Sequence, residues 1–87
     1  SSAASDVYKR QQIKETRQMI IIVNNAIKEF CIYGDPMIEF DDVMLLLKRK
    51  FGESNITWYR ATTESLAEDL VTEEKRGNKR AVLAEWL

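Results

Sequence analysis

Histidine is absent from the 87-residue chain. That removes the commonest general base, the Ser-His-Asp and Cys-His catalytic arrangements, and most zinc and copper sites. The single cysteine, Cys31, cannot form an intramolecular disulfide. Because no secretory or transit segment is visible, a reducing, cytoplasmic setting is expected. Cys31 lies among apolar residues and is read as a core position rather than a reactive thiol. Glycine occurs only at 34, 52 and 77 and proline only at 36, which leaves no glycine-rich loop to cradle a phosphate. The longest apolar run, Met19 to Val23, is far short of the roughly 20 residues that span a bilayer. No membrane partner, metal or cofactor is expected, and no convergent pair of carboxylates suggests an enzyme.

Charge of one sign is also scarce, since 13 basic and 14 acidic residues leave a net charge of −1. A chain so balanced does not coat nucleic acid or anionic membrane by bulk electrostatics, although a local basic face is compatible with it. An apolar content of 45% is ordinary for a folded domain. The length argues for one domain with a small core, of the kind that a partner or a second copy helps to stabilise. Asp35, Glu39, Asp41 and Asp42 cluster in sequence but lack the ligand ladder and glycine of a calcium loop, so they are assigned to capping and solubility.

Residues 1–11 stand apart from the rest. Ser1-Ser2-Ala3-Ala4-Ser5 is similar to a cloning remnant, and Asp6-Val7-Tyr8-Lys9-Arg10-Gln11 resembles one reading frame of the transposon end used in sequencing adapters. The resemblance implies a tag or adapter scar at 1–11 and a single domain over 12–87. The other reading is that Asp6 starts the first helix.

Apolar periodicity predicts an all-α fold, a small bundle of three to four helices over about 8–33, 40–51, 54–76 and 79–87. Ile13, Thr16, Ile20, Val23, Ile27 and Phe30 recur at alternating spacings of three and four, one face of a helix, which Gly34 and Asp35-Pro36 would end. The strand propensity of Ile20-Ile21-Ile22-Val23 is set against the periodicity on both sides of it. The 40–51 helix has Asp41 and Asp42 at its start, Lys48-Arg49-Lys50 at its end and Gly52 as its stop, with Val43, Met44, Leu46, Leu47 and Phe51 buried. For 54–76, a continuous helix and a break at Thr62-Thr63 both fit. Residues 72–81 are read as helix around a Gly77-Asn78 punctuation, the rival being a β-hairpin wing.

Two binding surfaces follow. Phe40-Asp41-Asp42-Val43 through Phe51-Gly52, then Ser54-Asn55-Ile56-Thr57-Trp58-Tyr59-Arg60, resembles the helix-turn-helix or winged-helix-like modules of phage and mobile-element proteins, in outline over about Phe40–Leu70. The resemblance implies that Ser54, Asn55, Thr57, Trp58 and Arg60 face a groove of duplex DNA while Lys48, Arg49 and Lys50 hold phosphates. Lys75, Arg76, Lys79 and Arg80 would form a second phosphate cluster, and Glu64, Glu68, Asp69, Glu73 and Glu74 would oppose a duplex lying along that helix. The other surface is the a/d-like stripe Ile13, Thr16, Ile20, Val23, Ile27 and Phe30, a candidate self-association face. With active-site chemistry lacking, the first expectation is a non-enzymatic helical module that docks on another protein or a second copy of itself. Duplex-DNA binding through Lys48–Arg60 is the alternative.

Overall fold

The apolar run at Ile20–Val23 is the centre of a β-sheet. The computed structural model describes residues 18–34 and 39–87. Across its described part, the segment expected as a helix over 8–33 is a hairpin: β1 (Gln18–Asn24), a turn at 25–28 and β2 (Glu29–Tyr33), paired antiparallel with Ile22 opposite Cys31. The physical reason lies in burial. Ile20, Ile21, Ile22 and Val23 are all buried, and a strand covered on both faces reads as a continuous apolar run without the alternation of a half-exposed strand. Four consecutive β-branched side chains also restrict χ1 in a way that favours the pleated sheet. The turn is set locally: Asn24 Oδ1 accepts the Ala26 amide at 3.1 Å, and Lys28 takes the left-handed conformation with φ 55°.

Helix α1 (Phe40–Phe51) occupies the span expected of the second helix. Asp41 and Asp42 lie in its first turn and Lys48, Arg49 and Lys50 in its last, each sign placed where the helix dipole favours it. Gly52, at φ 102°, stops it, a backbone geometry that costs glycine little.

The expected third helix is two elements. After a short 3-10 turn (Glu53–Asn55), residues Ile56–Thr62 form β3, antiparallel to β1 with Ile22 opposite Trp58 and Ile20 opposite Arg60. Its content of Ile, Thr, Trp and Tyr suits a strand better than a helix. The break at Thr62-Thr63 is the one realised, where the Thr62 amide donates to Ser65 Oγ at 3.0 Å and the Ser65 amide donates to Thr62 Oγ1 at 3.1 Å. Helix α2 (Leu66–Lys75) follows. A two-residue strand β4 (Lys79–Arg80) then pairs parallel to β2, so within 72–81 the expected helix holds only as far as Lys75 and the β-hairpin wing does not form. The final helix shrinks to α3 (Leu83–Trp86).

The all-α bundle is thereby corrected to a mixed α/β fold. The sheet order is β3-β1-β2-β4, and both faces are covered. On one, Ile20, Ile22 and Cys31 pack with Val43, Met44 and Leu47 of α1 and Trp86 of α3. On the other, Ile21, Val23, Phe30 and Ala61 pack with Leu66 and Leu70 of α2. Both longer helices travel toward the hairpin turn. α1 starts after β2 has run away from that turn, and the 3-10 segment beyond it returns, its Asn55 carbonyl accepting the Asn25 amide at 2.8 Å. α2 starts beyond Thr62, which pairs with Gln18 at the opposite end. Its exit is tied back to the turn where the Lys79 amide donates to the Lys28 carbonyl at 2.9 Å.

Candidate functional site

Because α1 and α2 run the same way and each is acidic at its start and basic at its finish, the sheet acquires unlike ends. Lys48, Arg49 and Lys50 from α1, Lys75 and Arg76 from α2, Lys79 from β4 and Lys28 from the turn all fall at the hairpin end. Asp41 and Asp42, with Glu68 and Asp69, fall at the other. Ser54, Asn55 and Thr57 also lie at the hairpin end, since Asn24 pairs with Ile56 and Val23 with Thr57. Arg80 shares the rung of Thr57, since it lies beside Phe30 and Phe30 pairs with Val23. Two expected DNA contacts do not join them: Trp58 stacks edge-on against Phe40 with ring centroids 5.2 Å apart, and Arg60 lies opposite Ile20. Residues 54–60 form a 3-10 turn and an edge strand, so the recognition helix that a helix-turn-helix requires is missing.

The expected self-association stripe is likewise dispersed. Ile20, Val23 and Phe30 are buried, Ile20 under α1 and the other two under α2, while Ile27 is exposed in the turn. Ile13 and Thr16 lie outside the described residues.

Two concavities flank the hairpin end. The first lies on the α1 side, where a groove of about 340 Å³ is lined by Leu46, Leu47, Arg49, Lys50 and Leu87. Leu45, Leu46 and Leu87 are 50%, 53% and 60% exposed, which is high for large apolar side chains. Lys50 ties α3 beside the groove, its Nζ donating to the Trp86 carbonyl at 2.7 Å. Leu46 was expected in the core. Three successive leucines on a helix cannot face one way, and once Val43, Met44 and Leu47 take the sheet, Leu45 and Leu46 point outward. That geometry was available from the spacing.

The second concavity, about 460 Å³, opens on the α2 side between the turn and the end of α2. Beside it is a completely buried carboxylate, Glu73. Its Oε2 accepts the Tyr59 hydroxyl at 2.6 Å and an Arg76 guanidinium N–H at 3.3 Å, and its Oε1 accepts Asn78 Nδ2 at 2.8 Å. A buried charge needs this degree of satisfaction. Burial first, and then the hydrogen bond and charge of Glu73, push the Tyr59 hydroxyl well above its ordinary value, so it stays a donor across the physiological range. In the sequence Glu73 figures only as one of five acidic residues that would oppose a duplex. Nothing in Thr72-Glu73-Glu74-Lys75 distinguishes it from Glu74, because the distinction is made by Tyr59 and Asn78 in three dimensions.

Cys31 is buried, and burial raises its thiol from 9.0 to about 11. Among the described residues no group of three or more Cys, Asp or Glu side chains is placed to hold a metal ion, and no helix is long and apolar enough to cross a membrane. Compared with known proteins, the chain matches no family model, and neither a curated protein nor a solved structure matches it significantly.

Proposed function

We propose that this chain is a non-enzymatic protein-interaction module, and that its docking surface is the apolar groove between α1 and Leu87. The observation that carries the reading is the combination of exposed Leu46 and Leu87 with Arg49 and Lys50 at the same groove. Leucines left outside a core that already has Leu47 and Trp86 suit an apolar anchor from a partner. The basic rim selects an acidic one. The occupant is therefore an amphipathic helix with leucine-like anchors and flanking Glu or Asp, held helix-in-groove. A second copy of the chain fits poorly there, since a two-fold contact would set Arg49 and Lys50 against their own equivalents. A reducing, cytoplasmic setting accords with the single thiol.

Fluorescence anisotropy with a labelled amphipathic Leu/Glu peptide and its Leu/Lys counterpart tests the proposal. The acidic peptide should bind, the basic one should not, and Leu46→Asp should abolish binding. Equal binding of both peptides, or of neither, overturns it.

One observation favours a second reading, in which duplex DNA lies across the hairpin end. Lys28, Lys48–Lys50, Lys75, Arg76 and Lys79 converge there from both faces of the sheet, and phosphate contacts need no recognition helix. Titration with a mixed-sequence duplex should then show affinity falling with salt, the slope dropping by roughly 0.9 for each phosphate-contacting cation replaced by alanine. No binding at low salt removes this reading.

A further inference from the structure

We infer that the second concavity, on the α2 side of the sheet, is a binding site for a small organic phosphate ester. The cleft is independent of the leucine groove, for it lies on the opposite face and shares no residue with it. Its base is Val23, Thr57 and Tyr59, and its walls are Asn25 and Lys28 of the turn facing Arg76 and Asn78 beyond α2.

Charge indicates an anion. Glu73 is engaged by Arg76 together with the Tyr59 and Asn78 donors, so its negative charge is matched, while among the described residues the Lys28 ammonium makes no hydrogen bond or ion pair. The cleft thus keeps one uncompensated cation and the remaining donors of a guanidinium, and that guanidinium is oriented by one 3.3 Å contact to the buried Glu73 carboxylate. Anion recognition works best with such preorganised donors. The C-terminal partial charge of α2 opposes an anion, but the last carbonyls are closed by the Arg76, Gly77 and Asn78 amides, which reduces that opposition.

The arrangement of donors indicates phosphate over carboxylate. Lys28 and Arg76 come from different elements, with the Asn25, Asn78 and Thr57 side chains among them. Donors spread over several directions suit a tetrahedral group with three terminal oxygens, whereas a planar carboxylate is satisfied by one fork. Size indicates an ester over the free ion, since about 460 Å³ falls in the range of pockets that enclose whole small molecules, and Val23 and the Tyr59 ring offer apolar surface for an organic body.

Lys28 itself supports a binding role. Its φ of 55° is the left-handed region that glycine or asparagine occupies more readily. A lysine at this position places a cation at the cleft where a glycine would leave the turn less strained.

The test is calorimetric titration of the intact chain with adenosine 5′-monophosphate, ribose 5-phosphate, inorganic phosphate, adenosine, ribose and citrate. At least one ester should bind, more tightly than inorganic phosphate, while the dephosphorylated compounds and citrate should not. Lys28→Asn, which suits the left-handed turn and removes the charge, should weaken the ester by about tenfold or more. Arg76→Lys, which keeps a cation for Glu73 but loses the fork, should also weaken it, and Arg60→Ala at the far end should not. Silence from both esters, equal binding of citrate, binding of inorganic phosphate as tight as the esters, or an unchanged Lys28→Asn variant each overturns the inference. Leu46→Asp should leave phosphate binding intact, so failure of the leucine groove and failure of this cleft are read separately.

Discussion

The Tyr59 hydroxyl and Glu73 Oε2 lie 2.6 Å apart, joining the edge strand β3 to the last turn of α2. Glu73 is the hub of that contact, because Asn78 and Arg76 reach the same carboxylate. Removing the hub leaves several donors without an acceptor, whereas removing one donor leaves the carboxylate with two others. Glu73→Ala should therefore cost about 3 kcal/mol and Tyr59→Phe about 1 kcal/mol, measured as shifts in urea midpoint at constant m. If Tyr59→Phe proved the more damaging, the carboxylate would not be the organising group.

Both acids whose folded-state values are raised, the Tyr59 hydroxyl from 10.0 and the Cys31 thiol from 9.0 to about 11, keep their protons in the folded chain beyond the pH at which the unfolded chain loses them. The folded state binds more protons in that window, so stability falls as pH rises. The contribution is complete below about pH 9 and is lost progressively through and above pH 11. Thermal melts between pH 8 and pH 11 should show a declining Tm, flattened in a Tyr59→Phe, Cys31→Ala double variant. A Tm that stays level in the parent chain would mean that neither group holds its proton more tightly in the folded chain than in the unfolded one.

Legibility from sequence divides along physical lines. Helix α1 is readable because its signals are local: two aspartates, a basic finish and Gly52 all act within a turn of the residue concerned. β1 is not, because the run Ile20–Val23 satisfies a helical stripe and a doubly buried strand alike, and the choice is made by β2 and β3 pairing on either side. Ile56–Thr62 is a harder case, since Ile56 and Tyr59 keep helical spacing while its β-branched and aromatic content favours a strand. Of the basic residues at the hairpin end, Lys48–Lys50, Lys75, Arg76 and Lys79 are singled out by the sequence and Lys28 is not, and their convergence depends on α1 and α2 being parallel, a property of topology. Glu73 finds Arg76 and Asn78 nearby in sequence, but its burial and the cleft beside it need β3, which brings Tyr59 to the carboxylate.

Cys31 offers a direct check on the sheet. It faces α1 beside Ile22 and is completely buried, and its raised value leaves very little thiolate near neutrality. Ellman's reagent at pH 8 should label it only at the rate of opening of the core, and at once in denaturant. Prompt labelling of the native chain would place Cys31 at the surface and would be incompatible with β2 packing under α1.

Adjacent leucines on α1 test the docking groove most sharply. Leu46 and Leu47 have the same helix propensity and neighbouring positions, yet Leu47 is completely buried and Leu46 about half exposed. Leu47→Ala opens a cavity against the sheet and should cost about 2–5 kcal/mol. Leu46→Ala should change stability by no more than about 0.5 kcal/mol, while reducing affinity for the acidic amphipathic peptide. This opposition separates a docking residue from a packing residue within a single turn of helix. Similar stability losses from both substitutions would mean that Leu46 is covered in solution, and a covered Leu46 leaves no groove for a partner.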